Sequence, residues 1–293
     1  MEYTKKVQLN SKQIKKRVMR NGFYKIIFFI AITIALLFLA SLIYRIVNQG
    51  IGYVSIDFIR NFPAPYIDKA GIFAGLMGSL FMLLITAPVS VVLGVSTALY
   101  LEEYAPKNRY TRFIQVNVQN LAGVPSIVFG LLGLTFFVYL FQFGYTLIAG
   151  ALTMSLLVLP VIVVAAQEAI RSVPKELREA SIGMGATKWQ TIWRIVLPAS
   201  IPGILTGSIL ALSRAIGETA PLIIVGAATA IYSIPDSLLS KYTVMPIQIY
   251  SWTARPQAEW QQVAAAGIIV LLVILLLMNA IAVWIRNKFQ NRY

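Results

Sequence analysis

Several stretches of this chain stay apolar for about twenty residues or more, the length an α-helix needs to cross the hydrocarbon core of a bilayer. They run from Phe23 to Val47, Gly71 to Leu101, Gly123 to Phe143, just past Tyr145 to Ala166, Ala199 to Ala228, and Val263 to Ile285. The pattern leaves one fold class: an all-α polytopic membrane protein with six transmembrane helices. A transmembrane β-barrel needs alternating segments of about ten residues. A soluble domain of 293 residues is not 58% hydrophobic with only 12% charge.

The spans carry their own punctuation. Gly71, Gly75 and Gly78 line one side of the second, where small residues let helices approach closely. Pro88 in the second and Pro160 in the fourth are expected to kink them. A few residues around Gln142 to Tyr145 make a tight hairpin of the third and fourth. Lys107, Arg109 and Arg112 read as a short polar loop. Residues 232–261 read as a long polar connection whose Tyr242, Tyr250, Trp252 and Trp260 suit the membrane interface.

The formal charge of +14 invites a nucleic-acid reading, but the placement of the charges answers it. Basic residues number eight up to Lys25, three after the second span, five after the fourth and three at the C-terminus. The opposite side has five, and Arg214 lies inside a span. Lysine and arginine accumulate in cytoplasmic segments, so both termini are expected in the cytoplasm of a cell carrying this chain in its inner membrane. Residues 1–22 form a basic cytoplasmic tail able to touch anionic membrane lipid. Residues 23–293 form one transmembrane domain, with a core at about 71–286. No nucleic-acid partner is expected.

There is no cysteine and no histidine. Disulfides and thiolate chemistry are excluded, and the commonest metal ligand and general base are missing. The chain is expected to have no catalytic residues, no metal site and no cofactor of its own.

The polar stretch between the fourth and fifth spans is helix-prone. Pro174 fits a first turn, Lys175 to Ala180 are mostly good helix formers, and Gly183 and Gly185 end the helix. A short helix of this kind makes a rigid knob that can transmit force. Ala180 and Ser181 are small enough to seat against another protein, Arg178 and Glu179 can fix the angle by pairing, and Leu197-Pro198 breaks the chain before the next span.

Glu179-Ala180-Ser181, Gly185 and Ile195-x-Leu197-Pro198, at this spacing and in this loop, resemble the EAA loop of binding-protein-dependent ABC importer permeases. Ser181 stands where the family name has alanine. The resemblance implies a type I importer permease fold whose cytoplasmic coupling helix docks on an ATPase subunit. The chain has no G-x-x-x-x-G-K-[ST], so ATP and Mg would be bound by that partner.

Arg214 and Glu218 are spaced to share one face of a helix in the fifth span. A mid-bilayer arginine costs at least ~2.5–3.5 kcal/mol and needs a partner or a task. One reading is an architectural lock. The other is a path for an anion, because guanidinium matches an oxyanion such as phosphate and Glu218 limits how tightly the anion is held.

The run Arg214 to Pro221, RAIGETAP, resembles the signature of the phosphate-specific branch of these permeases. Val124 to Gly130, Gly203 to Gly207 and Glu102 to Pro106 are similar to that branch too. From about residue 20 onward the chain resembles the PstA family more than its PstC counterpart. That implies Arg214, Glu218 and Thr219 on the substrate path. It also implies four kinds of neighbour: a second permease subunit (PstC-like), two ATPase subunits (PstB-like), an extracytoplasmic phosphate-binding protein (PstS-like) and lipid. A permease for sulfate, molybdate or phosphonate is the near alternative. An ion-coupled secondary transporter is the distant one, and it would carry several intramembrane carboxylates.

Overall fold

Every regular element that the described residues form is helical. The computed structural model describes the backbone of residues 2–227 and 231–290, and the side chains of 13–227 and 231–288. The chain divides into two units, residues 1–49 and 50–293. Helix α1 (Glu2–Gly50) takes up the first. It runs without interruption through the basic segment and the first apolar run. Phe28, Leu36, Phe38 and Leu42 are all exposed around it, the character of a helix meant for lipid or another chain.

The second unit opens with α2 (Ile56–Arg60), capped by the Ser55 hydroxyl, which accepts the Phe58 N–H. Helix α3 (Phe73–Leu99) follows, with Pro88 inside it, and passes into a π-turn at Tyr100–Tyr104. Next come α4 (Arg109–Leu121) and α5 (Ser126–Gly133), the latter continued by a π-helical segment at Leu134–Leu140. Helix α6 (Leu147–Arg171) is followed by the short α7 (Lys175–Gly183) and α8 (Lys188–Thr191). A π-turn at Ile192–Val196 leads into α9 (Leu197–Ile216). Then come α10 (Ala220–Ile224), α11 (Met245–Thr253) and α12 (Glu259–Gln290).

Among the described residues, five helices are long and apolar enough to span a membrane, or six if the bent pair α4–α5 is counted as one span. Helix α6 is the interior one: 67% of its most apolar window is buried, against 6% for α12. It packs between α3 and α9. Small residues set those distances. A Cβ at Gly94 of α3 would stand 2.7 Å from Cγ2 of Ile162, and one at Gly203 would stand 2.7 Å from Cβ of Ala169. One at Gly207 would overlap Ala165.

Five expectations change. The loop expected at 107–112 runs into the amphipathic helix α4, whose N-cap Asn108 accepts the Thr111 N–H at 2.8 Å. The axis then turns by 105° into Ser126–Leu140. The third span is therefore shorter than 123–143 and ends before Gln142, which adopts a positive φ of 56°.

Pro198 does not break the chain. It sits in the first turn of α9, and the π-turn before it re-spaces the ladder, with the Leu197 N–H reaching the Ile192 carbonyl. Residues 188–216 thus form one 29-residue span. That span also ends early. Gly217 closes α9, and Pro221 restarts the helix in the first turn of α10, so 199–228 is not continuous. Ala228 itself lies outside the described residues.

Three of the four aromatics in the connection at 232–261 are core, not interface. Tyr242, Trp252 and Trp260 are buried and only Tyr250 is exposed. Helix α11 lies against α3 and α12, and the Met245 N–H donates to the buried Ser79 hydroxyl at 2.9 Å. The small residues of α3 admit this segment: a Cβ at Gly75 would come within 3.2 Å of the Met245 backbone.

Candidate functional site

Two clusters hold the residues singled out in the sequence, and α9 joins them. The first surrounds α7. Its helix starts after Pro174, which sits at the N-cap, one position before the expected first turn. It ends as expected at the glycines: Gly185 takes φ +87°, its N–H reaches the Ile182 carbonyl at 2.9 Å, and the Ala186 N–H reaches that of Ser181 at 3.1 Å. A capping box follows at once, with the Thr187 hydroxyl taking the Gln190 N–H and the Gln190 side chain taking the Thr187 N–H.

Arg178 fixes the angle of α7. Its guanidinium donates to the carbonyls of Val173 at 2.6 Å and Ile170 at 2.8 Å, and lies 3.1 Å from the Glu103 carboxylate. The arginine thus closes the C-terminus of α6 and ties it to the π-turn below α3. Arg171 makes a parallel tie to Glu102 at 2.7 Å and to Glu168 at 3.2 Å. Lys188 lies over the Tyr104 ring, 5.0 Å from its centre. The residues of the π-turn at 100–104 therefore hold the loop from three sides.

Ser181 turns inward, contrary to the expected outward Ala180-Ser181 pair. It is buried, and its hydroxyl lies 2.9 Å from that of Thr191, tying α7 to α8. What α7, α8 and the residues flanking them present outward is Glu179 and Ala180 with Leu177, Ile182, Met184, Trp189 and Trp193. The two tryptophan rings are 5.3 Å apart. Glu179 makes no ion pair among the described residues. Ile195, Leu197 and Pro198 are half-buried at the start of the long span.

The second cluster is the break after α9. Arg214 is in the last turn of α9 and not in mid-helix, because Gly217 terminates the helix two residues after Ala215. The turn tightens as it ends: the Gly217 N–H reaches the Arg214 carbonyl and the Glu218 N–H reaches that of Ala215. The expected pair still forms, at 3.3 Å, but it is unequal. The Arg214 side chain is 65% exposed and that of Glu218 17%. A pair so open is weak as a lock. Thr219 follows in the break, its carbonyl accepting the Ile223 N–H. Arg214 borders a small cleft with Ser126, Phe129, Val158 and Ala211.

One of the other sequence motifs, Val124 to Gly130, reaches this break. A Cβ at Gly130 would stand 2.8 Å from Cα of Pro221, so α5 is seated on α10. Ser213, next to Arg214, donates to Asn279 of α12.

This architecture has relatives. Residues 90–291 match the model of the family described as binding-protein-dependent transport system inner membrane component. The chain belongs to that family. It is 34% identical over 259 residues to the probable ABC transporter permease protein YqgI of Bacillus subtilis, covering 84% of this chain and 88% of that one. It is 35% identical over 249 residues to the phosphate transport system permease protein PstA 1 of Mycobacterium tuberculosis, covering 83% and 80%. The fold matches the inward-facing MetNI methionine ABC transporter with a TM-score of 0.62 at 19% identity, over 73% of this chain and 94% of that one. The transport-system family accounts for the helical class and the several apolar helices, and the chain is a multi-pass membrane protein.

The π-turn carboxylates Glu102 and Glu103 were visible in the sequence only as a motif. The signal that would have paired them is charge: two acids end one span on the side where Arg171 and Arg178 follow another.

Proposed function

We propose that this chain is the permease subunit of an ATP-driven phosphate importer, that it forms half of the translocation path with a second permease, and that it does no covalent chemistry. ATP and Mg belong to a separate pair of ATPase subunits, and an extracytoplasmic binding protein delivers phosphate. The observation that carries the reading is the exposed Arg214 guanidinium at a helix break, in a chain similar to phosphate permeases over more than four-fifths of its length. Non-helical backbone at membrane depth is tolerated where protein buries it or water lines it, and broken helices mark binding sites in transporters.

The mechanism follows from the connections. ATPase closure pushes on the outward face of α7 and α8, where Glu179, Trp189 and Trp193 stand free. The push reaches α6 and α3 through Arg178 and Arg171 on Glu103 and Glu102. It reaches Arg214 along one rod, because residues 188–216 are continuously helical. At 1.5 Å per residue, Lys188 and Arg214 are about 39 Å apart along it. At its far end Glu218 competes with phosphate for Arg214, which keeps the anion from binding too tightly to leave. By the placement of basic residues, α7 and both termini face the cytoplasm.

The test is ATP-dependent uptake of radiolabelled phosphate by proteoliposomes holding this chain with its partner subunits. Uptake that excess sulfate, molybdate or phosphonate leaves untouched is expected. Uptake of one of those anions in place of phosphate would overturn the reading.

A further inference from the structure

Beside the coupling surface lies a cleft of about 810 Å³ that shares the Glu102–Arg171 tie with the proposed transport cycle, which uses none of its other walls. It opens between the π-turn below α3, the start of α4 and the end of α6. Lys107, Arg109, Arg112 and Arg171 line it, with Glu102 as the one acidic residue among its walls. Arg171 is already engaged by Glu102 and Glu168. Lys107, Arg109 and Arg112 make no ion pair among the described residues. The cleft therefore holds three uncompensated positive charges.

Their position makes the excess costly. They flank the N-terminal end of α4, where the helix dipole is itself positive, and the first turn has no acidic residue to answer it. An anion in the cleft would relieve both repulsions at once. The orientation of α4 says where such an anion comes from. It turns 105° away from the segment that enters the apolar layer. Tyr110, Phe113 and Leu121 are exposed along one stripe of it. A helix with an apolar stripe beside basic residues lies in the plane of the headgroups, and guanidinium groups match phosphate oxygens in pairs.

We propose that this cleft is a site for a phosphate-bearing anion, filled by the headgroup of an anionic phospholipid while Tyr110 and Phe113 rest on the adjoining acyl chains. The proposal depends on the chain being a membrane protein and not on what it transports.

Native mass spectrometry of the full chain with its partner subunits tests it, titrated with phosphatidylglycerol or phosphatidylcholine. Wild type is expected to prefer phosphatidylglycerol by roughly tenfold or more. The triple variant Lys107→Gln, Arg109→Gln, Arg112→Gln should lose the preference, and Arg109→Lys with Arg112→Lys should retain part of it. Millimolar inorganic phosphate displacing the lipid, where chloride of equal ionic strength does not, would identify free phosphate as a second source for the same site. Equal binding of the two lipids, or a triple variant that keeps the preference, overturns the proposal. A photoactivatable phosphatidylglycerol on wild type needs no variant to fold. Its label should fall at 105–115, and a label confined elsewhere would also overturn the proposal.

Discussion

Replacing Arg178 by alanine should loosen α7 from the membrane helices without unfolding them. The substitution removes two hydrogen bonds to the carbonyls of Ile170 and Val173 and the ion pair with Glu103. It leaves a carboxylate only 13% exposed with no counter-charge and reopens the C-terminus of α6. Breaking one side of a buried pair costs about 3–5 kcal/mol. Some water reaches this one, so about 2–4 kcal/mol of local stability is the expected loss. The helices above α7 have their own packing, so the loss is confined to the corner.

Hydrogen exchange by mass spectrometry should read it directly. Amides of 175–183 should exchange about 30- to 700-fold faster, while those of α6 near Met154 stay protected. Arg178→Lys keeps a point charge for Glu103 but lacks the fork that reaches both carbonyls, so it should fall between the two. Unchanged exchange at 175–183 in Arg178→Ala would refute the brace.

Glu179→Lys reverses a free charge on the outward face of α7. ATP hydrolysis should then proceed with at least about tenfold less transport per ATP, and normal coupling would remove Glu179 from the docking surface. Gly207→Val puts a branched side chain into Ala165 and should separate α9 from α6. A loss of about 1–3 kcal/mol or more is expected, read as a lower melting temperature of the purified protein. Tyr242→Phe should be neutral or stabilising by about 1 kcal/mol in a denaturant titration, because its buried hydroxyl has no partner among the described residues. Burial pushes that phenol well above the ordinary tyrosine range, so in the same titration wild type should lose stability relative to Tyr242→Phe as pH rises past the ordinary tyrosine range, where the unfolded chain ionises first.

The long spans were legible because the bilayer demands length and apolarity, which a single chain displays without its neighbours. The loop motif was legible for a local reason too: Gly185 needs its positive φ, and Thr187 and Gln190 cap one another three residues apart. What escaped was set by tertiary contact. Only the matching charges at the ends of two spans link Arg178 to Glu103, which is 75 residues away. Tyr242, Trp252 and Trp260 have the composition of an interface belt, but all three are buried, with Tyr242 seated against Gly150 and Trp252 against Gly267, contacts that sequence distance hides. Pro198 reads as a break until a π-turn is seen to absorb it. The Arg214–Glu218 spacing predicted a pair correctly, but a mid-helix location for it depended on Gly217 being passed over.

The most direct measurement is phosphate uptake by vesicles holding the complex, wild type against Arg214→Gln, with assembly checked by co-purification of the partner subunits. Loss of uptake with assembly intact is the predicted result, and it places Arg214 on the phosphate path. Uptake retained at the wild-type rate, or lost only because the subunits no longer assemble, would contradict that role and leave the Arg214–Glu218 pair as architecture.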